Sequence, residues 1–395
     1  MKTIFKKIVN FINKMQPTQI MVIGFAIVIL VGGILLNLPV STKSGESIGL
    51  LDALFTATSA VCVTGLVMVD TATYWSGFGQ LVIIMLIQIG GLGFMTIATL
   101  FALIAKKKIN LRERLLIQEA LNQIDLSGLV KLTRYVLLMT FLIEGIGALL
   151  LSTVFIPQFG IGKGIWYSIF HAISAFCNAG FDLMGTVSGP FSSLTYYVNN
   201  FTVTITISTL IILGGLGFPV ILDVIKHKKI SKLTIHSKVV LFTTTMLIVV
   251  GMVFILLLEY NNPNTLGPLG FGGKLLASLF QSVTTRTAGF NTIDLTIMYQ
   301  SSIFIMIILM FIGASPASTG GGIKTTTLAI LVLTVKSFIL GKEDIEIYER
   351  RIGPSTVRKS LGIFFIGIVV VVSGTLIISV TDSQFTLVDA GFEVV

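Results

Sequence analysis

A short motif occurs three times along this chain, each time with the same arrangement of apolar and small residues. The copies are LLDALFTATSAVCVTGL (50–66), IWYSIFHAISAFCNAGF (165–181) and LLASLFQSVTTRTAGFN (275–291). In each copy a phenylalanine (Phe55, Phe170, Phe280) is followed nine or ten residues later by a glycine (Gly65, Gly180, Gly289). A fourth copy begins as LVDAGFEVV (387–395). Such repetition predicts one structural unit that the chain uses several times.

Long apolar stretches flank every copy. One precedes each copy, at about 18–40, 130–156, 236–259 and 357–380, and another follows the first three, at 77–105, 198–226 and 302–340. About 20 apolar residues are needed to cross a bilayer as a helix. The chain is 54% hydrophobic and 11% charged, whereas soluble domains carry roughly 25% charged residues. We therefore expect a polytopic membrane protein whose first stretch is a retained helix and not a signal peptide.

The motifs themselves are too short to span a membrane. A half-helix of about twelve residues is a re-entrant length, and irregular backbone at membrane depth must be buried or line a watery path. We predict an all-α fold of four pseudo-symmetric helix–pore-helix–helix repeats around a central pore, within residues 1–109, 110–229, 230–350 and 351–395. The fourth repeat is incomplete because its glycine would lie beyond Val395, so this chain alone should not close a competent pore.

Positive charge is concentrated in four stretches. Of the 27 Lys and Arg residues, 23 lie in the N-terminus, 106–134, 226–238 and 324–359. Membrane proteins keep such loops on the cytoplasmic side. This pattern predicts a cytoplasmic N-terminus in a plasma-membrane protein and repeats of parallel orientation, and it does not indicate nucleic-acid binding.

Three residues that end each motif are suited to binding a dehydrated cation. We call these segments the glycine triplets: Val63–Thr64–Gly65, Asn178–Ala179–Gly180 and Thr287–Ala288–Gly289. Glycine adopts positive φ without steric cost, which lets successive carbonyls face one axis, as in the carbonyl rings of potassium channels. The alternative is that these glycines are helix-packing positions, which are common in membranes.

The segment GASPASTGGGIKTTT (313–327) resembles a phosphate-binding loop only superficially. In a P-loop the lysine directly follows the last glycine, but Ile323 separates Gly322 from Lys324. Its four glycines and Pro316 cannot sustain a helix. No catalytic constellation or nucleotide fingerprint is visible elsewhere, so we do not expect an enzyme.

Together, VTGL, NAGF and TAGF, the repeated phrase GGLGF (90–94 and 214–218) and the 313–327 segment resemble the Trk/Ktr/HKT superfamily of potassium transporters. The absence of an extra helix pair before residue 18 makes the resemblance closest to the Ktr membrane subunit. It implies potassium uptake through a filter containing Gly65, Gly180 and Gly289. Serine at the first of these positions accompanies sodium preference in some plant members, so Gly65 favours potassium.

The resemblance also implies a gate and partners. A flexible loop under the filter, here 313–323, interrupts the second helix of repeat three and controls ion flow; a passive kink is the alternative. Its residues are Gly313, Ala314, Ser315, Pro316, Ala317, Ser318, Thr319, Gly320, Gly321 and Gly322, with Lys324. The implied complex is a homodimer on a cytoplasmic ring of KtrA/TrkA-like nucleotide-binding regulators, which basic loops such as 342–352 would face. No covalently bound cofactor is expected.

Several charged residues at membrane depth need an explanation. Lys324 is expected either to plug the path electrostatically or to snorkel or bond a carbonyl. Arg286, inside the third motif, is expected to support the filter by pairing with an acid, with Glu144 and Asp52 as candidates.

The membrane potential, worth about 2.3 kcal/mol per charge per 100 mV, would drive uptake. Two functional alternatives stay open: a sodium-conducting or sodium/potassium symporting relative, and an inverted-repeat transporter of organic solutes.

Overall fold

The long apolar stretches form helices in the computed structural model, which describes residues 15–93, 96, 99, 115, 116, 118 and 129–395 except 343, 349 and 383. The described α-helices are α1 (Pro17–Leu36), α2 (Leu50–Cys62), α3 (Thr71–Tyr74), α4 (Gly77–Leu92), α5 (Leu129–Phe159), α6 (Ile161–Phe176), α7 (Gly185–Ser188), α8 (Phe201–Leu216), α9 (Phe218–His227), α10 (Ile235–Glu259), α11 (Phe271–Thr284), α12 (Gln300–Phe311), α13 (Thr325–Ile339), α14 (Pro354–Thr381) and α15 (Leu387–Val394).

Little else is regular in the described part of the chain. Single 3₁₀ turns cover Pro39–Ser41, Thr195–Tyr197, Ile230–Lys232 and Leu295–Ile297. Strands β1 (Glu346–Ile347) and β2 (Arg350–Arg351) pair antiparallel in a small hairpin. Apart from this hairpin, the predicted all-α character is confirmed. Most of the basic segment 106–134 lies outside the described residues.

In the described part of the chain, four helices are long and apolar enough to cross a membrane. They cover Thr18–Leu36, Val130–Phe159, Ile235–Glu259 and Pro354–Thr381, and they match the four stretches that the sequence predicts before each motif. The prediction of these spans is therefore confirmed to within a few residues at most ends.

The short helices α2, α6 and α11 lie at the positions of the three motifs and have 13, 16 and 14 residues. They supply much of the protein core, because Ala53, Ala57 and Ala60 on α2 and Phe170 on α6 are fully buried. Burial of their apolar faces holds these helices inside the protein. The irregular backbone of the triplets that follow them is thereby also kept within the protein, where such backbone is tolerated. Phe55 departs from the repeat, since it is 40% exposed while its counterparts Phe170 and Phe280 are buried.

The helices pack in an order that recurs along the chain. Each long helix packs on the short helix that follows it: α1 on α2, α5 on α6, α10 on α11 and α14 on α15. The helix after each motif then packs on the short helix of the next one: α4 on α6, α8 on α11 and α12 on α15. The short helices are thus neighbours in one connected interior.

The apolar stretches that follow the motifs are all broken. Helix α4 ends at Leu92 and is followed by Gly93, whose φ is 77°. The rest of the predicted 77–105 span lies largely outside the described residues. Helices α8 and α9 meet at 98°, a break within the apolar stretch 198–226 that we did not predict from the sequence. The cause is local: Gly217 has φ 89°, and a proline in the first turn of α9 brings no N–H group.

Candidate functional site

The three glycine triplets share one backbone conformation. Their first residues, Val63, Asn178 and Thr287, are left-handed with φ of 57°, 57° and 62°. Their glycines have φ of 79°, 73° and 81°. Asparagine tolerates this region better than most residues, but a β-branched residue such as Val63 or Thr287 is rare there. Its recurrence at matched positions indicates that the tertiary structure imposes this conformation.

The glycines of the triplets lie against one another. A methyl group placed on Gly180 would be 2.7 Å from the Ala288 carbonyl oxygen and 2.9 Å from the Cα of Gly289. On Gly65 it would be 2.8 Å from the Ala179 oxygen, and on Gly289 3.1 Å from the Cα of Gly180. Gly65, Gly180 and Gly289 are each more than a hundred positions apart in the sequence, yet they are in contact, and a side chain larger than that of glycine would not fit between them.

The carbonyl groups of the triplets have no hydrogen-bond donor among the described residues. In the described part of the chain, none of the nine triplet carbonyl oxygens accepts a hydrogen bond from a backbone or side-chain donor. Buried backbone carbonyls are nearly always paired with a donor, a water or an ion. Free main-chain oxygens on segments that lie against one another are suited to a dehydrated monovalent cation.

Hydroxyl groups near the end of each short helix hold the backbone around the triplets. Ser174 donates to the Phe181 carbonyl at 2.7 Å, and Thr284 donates to the Phe290 carbonyl. In the first motif the Thr64 hydroxyl donates to Ser59 at 2.9 Å. Sequence reasoning missed these residues, although Ser59 and Ser174 stand at the same distance before their glycines.

His171 is a further support that the sequence did not reveal. Leu183 N–H donates to its Nε2 at 3.2 Å, so its Nδ1–H donates to the Tyr167 carbonyl at 2.7 Å. The ring is completely buried beside Phe155 and Phe290. It therefore connects the segment that follows the second triplet to the short helix α6.

The GGLGF phrases pack against the ends of the short helices. A methyl group on Gly90 would lie 2.0 Å from the Val61 carbonyl oxygen, and one on Gly214 would lie 1.9 Å from that of Phe176. Val61 and Phe176 occupy equivalent places, just before the first two triplets. The repeated phrase thus provides close approach between a following helix and the backbone that carries a triplet.

We expect Gly214→Ala to lower the thermal unfolding temperature in detergent, because the added methyl must displace backbone atoms on both sides. Gly145→Ala is the matched control: Gly145 also lies within a helix, but nothing stands within 4 Å of its methyl position. Alanine there should be neutral or slightly stabilising. Equal melting of Gly214→Ala and the wild type would show that this contact is not tight.

The segment between α12 and α13 is an ordered loop docked on the α8–α9 break. Ser315 N–H donates to the Gly215 carbonyl at 2.9 Å, and Thr319 N–H to that of Gly214 at 3.1 Å. In return, Phe218 N–H at the start of α9 donates to the Ala317 carbonyl at 3.0 Å. Backbone groups at the break between α8 and α9 thus form hydrogen bonds with backbone groups of the loop between α12 and α13, which would otherwise lack partners.

The same loop contacts the second and third triplets. The Thr319 hydroxyl lies 2.9 Å from the Phe176 carbonyl oxygen and 3.3 Å from Asn178 Oδ1. Gly321 N–H donates to the Thr287 hydroxyl at 3.0 Å. Gly320 lies so close that a methyl group on it would be 2.7 Å from that hydroxyl. The loop therefore lies directly beside the triplets.

Lys324 forms a hydrogen bond with a carbonyl group. Its ammonium donates to the Gly320 oxygen at 2.7 Å, four residues earlier in the same loop. Of the arrangements that the sequence left open, this geometry corresponds to bonding a carbonyl. It closes the loop on itself at the start of α13.

The expected pairing of Arg286 with an acid is wrong. Its guanidinium donates through Nη2 to the Gly313 carbonyl at 3.2 Å, and no described residue accepts from Nη1. Glu144 instead accepts from Gln88 Nε2 at 3.1 Å. Asp52, on the first turn of α2, forms no ion pair with any described residue. Arg286 thus binds the loop and not an acid, and being 3% exposed it is nearly inaccessible.

A cavity of about 370 Å³ lies beside the triplets. Its walls include Thr64, Gly65, Thr287 and Gly289, together with Gly321 of the loop. Helix α15 contributes Phe392 and Glu393. Among the described residues, no group of three His, Cys, Asp or Glu side chains could hold a metal ion. At the triplets themselves the site offers oxygen atoms of the main chain and of the Thr64 and Thr287 hydroxyls, and the cavity wall adds the side chains of Gln281 and Glu393.

Comparison with known proteins agrees with this architecture. The sequence profile of the TrkH family, described as cation transport proteins, matches residues 4–395. The potassium/sodium uptake protein NtpJ of Enterococcus hirae is 45% identical over 96% of this chain and 82% of its own. The Ktr system potassium uptake protein B of Bacillus subtilis is 43% identical over 95% and 82%. Its namesake from Vibrio alginolyticus is 42% identical over 93% and 78%.

Among solved structures, the potassium transporter TrkH of Vibrio parahaemolyticus has a similar fold. The superposition covers 91% of this chain and 72% of that one, with a TM-score of 0.67 and 18% sequence identity.

Proposed function

Since this chain belongs to the TrkH family of cation transport proteins, we propose that it takes up potassium ions across the cell membrane. The observation that carries this proposal is the meeting of three glycine triplets whose carbonyl oxygens accept no hydrogen bond from the described residues. Relatives that are named as potassium uptake proteins and share 42–45% of their residues with it support the choice of ion.

Selection would rest on the main chain. A potassium ion that enters the triplets must exchange water for carbonyl oxygens, and the nine triplet residues offer these oxygens. Helices α2, α6 and α11 end at Cys62, Phe176 and Thr284, with at most two residues between each helix and its triplet. Their C-terminal ends carry partial negative charge and so favour a cation at that place.

The loop 313–323 would act as the gate. It lies against the second and third triplets and is held there by hydrogen bonds from Thr319 and Gly321. Because an ion that has passed the triplets would meet this loop, its displacement would open the path. Uptake would be driven by the membrane potential, with no chemistry performed by this chain.

Sodium is the second candidate ion. The relative NtpJ is named as a potassium/sodium uptake protein and is 45% identical. Main-chain oxygens bind both ions, and which one fits better depends on the spacing and field of the carbonyl groups. Gly65, in place of a serine, supports potassium as the preferred ion.

The assembly would be a homodimer that docks on a cytoplasmic ring of nucleotide-binding regulators. Relatives named as parts of a Ktr system support a partner. The β1–β2 hairpin follows α13 in the sequence and carries the exposed residues Arg350 and Arg351. Arg351 forms a surface ion pair with Asp344 at 2.7 Å. We place this hairpin and the N-terminus on the cytoplasmic side, as the distribution of basic residues supports.

We expect expression of the protein with a complete fourth repeat to restore growth at low potassium in bacteria that lack their own potassium uptake systems. Uptake of K⁺ should saturate, and it should fall when the membrane potential is collapsed, because the potential is the proposed driving force. Flux in medium with Na⁺ as the only cation separates the two candidates. Failure to restore growth while the protein is present in the membrane, or greater Na⁺ than K⁺ flux, would contradict the proposal.

A further inference from the structure

The side chain of Asn178 links three parts of the candidate site. It is 1% exposed, and its residue is the first of the second triplet. The amide Nδ2 donates to the carbonyl of Arg286, immediately before the third triplet, at 3.1 Å. The amide oxygen Oδ1 faces the Thr319 hydroxyl of the loop at 3.3 Å. The Asn178 side chain therefore contacts both the residue before the third triplet and the loop.

Thr319 attaches the loop at this point. Its hydroxyl has one proton and two acceptors, the Phe176 carbonyl at 2.9 Å and Asn178 Oδ1 at 3.3 Å. The Thr319 N–H donates to the Gly214 carbonyl. Both acceptors of the hydroxyl belong to the end of the second short helix and the first triplet residue that follows. Movement of the loop away from this position breaks the hydrogen bond of the Thr319 hydroxyl.

The third triplet has equivalent attachments. Arg286 donates to the Gly313 carbonyl where the loop begins, and Thr287 accepts from Gly321 N–H where the loop ends. In the described part of the chain the first triplet has no such bond, since the Thr64 hydroxyl is directed to Ser59. The loop thus contacts two of the three triplets through side chains that the triplet regions themselves provide.

We propose that the loop 313–323 in this position supports the second and third triplets, so that the affinity and ion preference of the filter depend on the state of the gate. Asn178 is the positioning residue that connects the two. This inference rests on the proposed function, because it assigns a regulation to the same site. Carbonyl selectivity depends on the number and placement of the oxygens, and the released loop no longer restrains the segments that carry them.

Thr319→Val is the direct test, because valine keeps the shape and removes the hydroxyl. We expect the K⁺ concentration for half-maximal uptake to rise about fivefold, the effect of one ordinary hydrogen bond. Na⁺ should compete more strongly with K⁺. A change in maximal rate alone, with unchanged affinity and unchanged Na⁺ competition, would overturn the inference and leave the loop as a gate only.

Two control variants separate this coupling from general effects. Ser318→Ala removes a hydroxyl that bonds only within the loop, to the Ser315 carbonyl at 2.6 Å. Thr334→Val removes one that bonds within helix α13, to Ile330. Thr334→Val should alter neither K⁺ affinity nor Na⁺ competition, and Ser318→Ala should alter them less than Thr319→Val does. If Ser318→Ala shifts the affinity as much as Thr319→Val, the effect comes from the loop's own structure, which contradicts the inference.

Asn178→Gly removes the same contact from the other side, so by itself it should also raise the K⁺ concentration for half-maximal uptake, even should Thr319→Val fail to fold. Glycine retains the left-handed backbone of this position while removing the amide. Because Asn178 and Thr319 act through one contact, the double variant should lower affinity less than the product of the single effects. Independent, multiplicative effects would overturn the inference. Loss of K⁺ uptake by the unmodified protein would instead contradict the proposed function, so the two failures are distinguishable.

Discussion

Replacing Gly180 by alanine is expected to abolish potassium uptake while the protein remains in the membrane. Its φ of 73° is a conformation that costs a residue with a Cβ about 1–2 kcal/mol. The new methyl would also stand 2.7 Å from the Ala288 carbonyl oxygen and 2.9 Å from the Gly289 Cα. Both are backbone atoms of the third triplet, which cannot swing aside as the end of a side chain could. The carbonyl groups of two triplets must therefore move together.

The measurement is K⁺ uptake into cells that depend on this protein, normalised to the amount in the membrane. Gly145→Ala is again the matched control, since its methyl position is open and its backbone is helical. The alanine variant at Gly145 should transport like the wild type. Normal K⁺ uptake and normal K⁺ preference in Gly180→Ala would show that ions do not pass where the triplets meet.

Deleting residues 314–321 is expected to raise K⁺ flux several-fold and to weaken its regulation. The deletion joins Gly313 to Gly322, which are already in contact, because a methyl on Gly322 would be 2.6 Å from the Gly313 Cα. The Ala314 N–H bond to Gly321 at 3.0 Å also shows that the two ends run side by side. The chain can therefore be rejoined with little strain, whereas the part of the loop beside the triplets is removed.

Adding Gly180→Ala to the deletion variant provides its control. If the extra ions pass the triplets, the combined variant should lose the increased flux; if they leak elsewhere, the flux should persist. Flux in the deletion variant equal to that of the wild type would remove the gate assignment. It would favour the alternative in which the loop is a passive kink.

Much of the architecture could be predicted because its causes are local. The four long helices follow from runs of about 20 apolar residues, and they appear at Thr18–Leu36, Val130–Phe159, Ile235–Glu259 and Pro354–Thr381. The interruption after α12 was predictable from its glycines and Pro316. The break between α8 and α9 was missed, although Gly217 and the proline two residues later are a sufficient local signal. The stretch 198–226 is apolar throughout most of its length, and its composition therefore indicated a single membrane span.

The partners of the buried polar residues could not be predicted in this way. Arg286 was expected to meet an acid, yet its guanidinium binds the Gly313 carbonyl. A backbone carbonyl is present in every residue, so no pattern of side chains identifies it as an acceptor. Glu144 finds an amide on Gln88, 56 residues away. Neither choice follows from spacing, because both depend on how separate helices approach.

The sequence by itself determined that this chain lies in a membrane, that three short helices end in glycine triplets, and that the triplets require left-handed backbone. These properties depend on hydropathy over about 20 residues and on which residues tolerate positive φ. Only the tertiary structure decided what meets at the site: Thr319 reaches Phe176 across 143 positions, and the triplets lie against one another. The physical reason is that such contacts arise from the packing of helices, whose close approaches are set by glycines at both surfaces and not by any local preference of the chain.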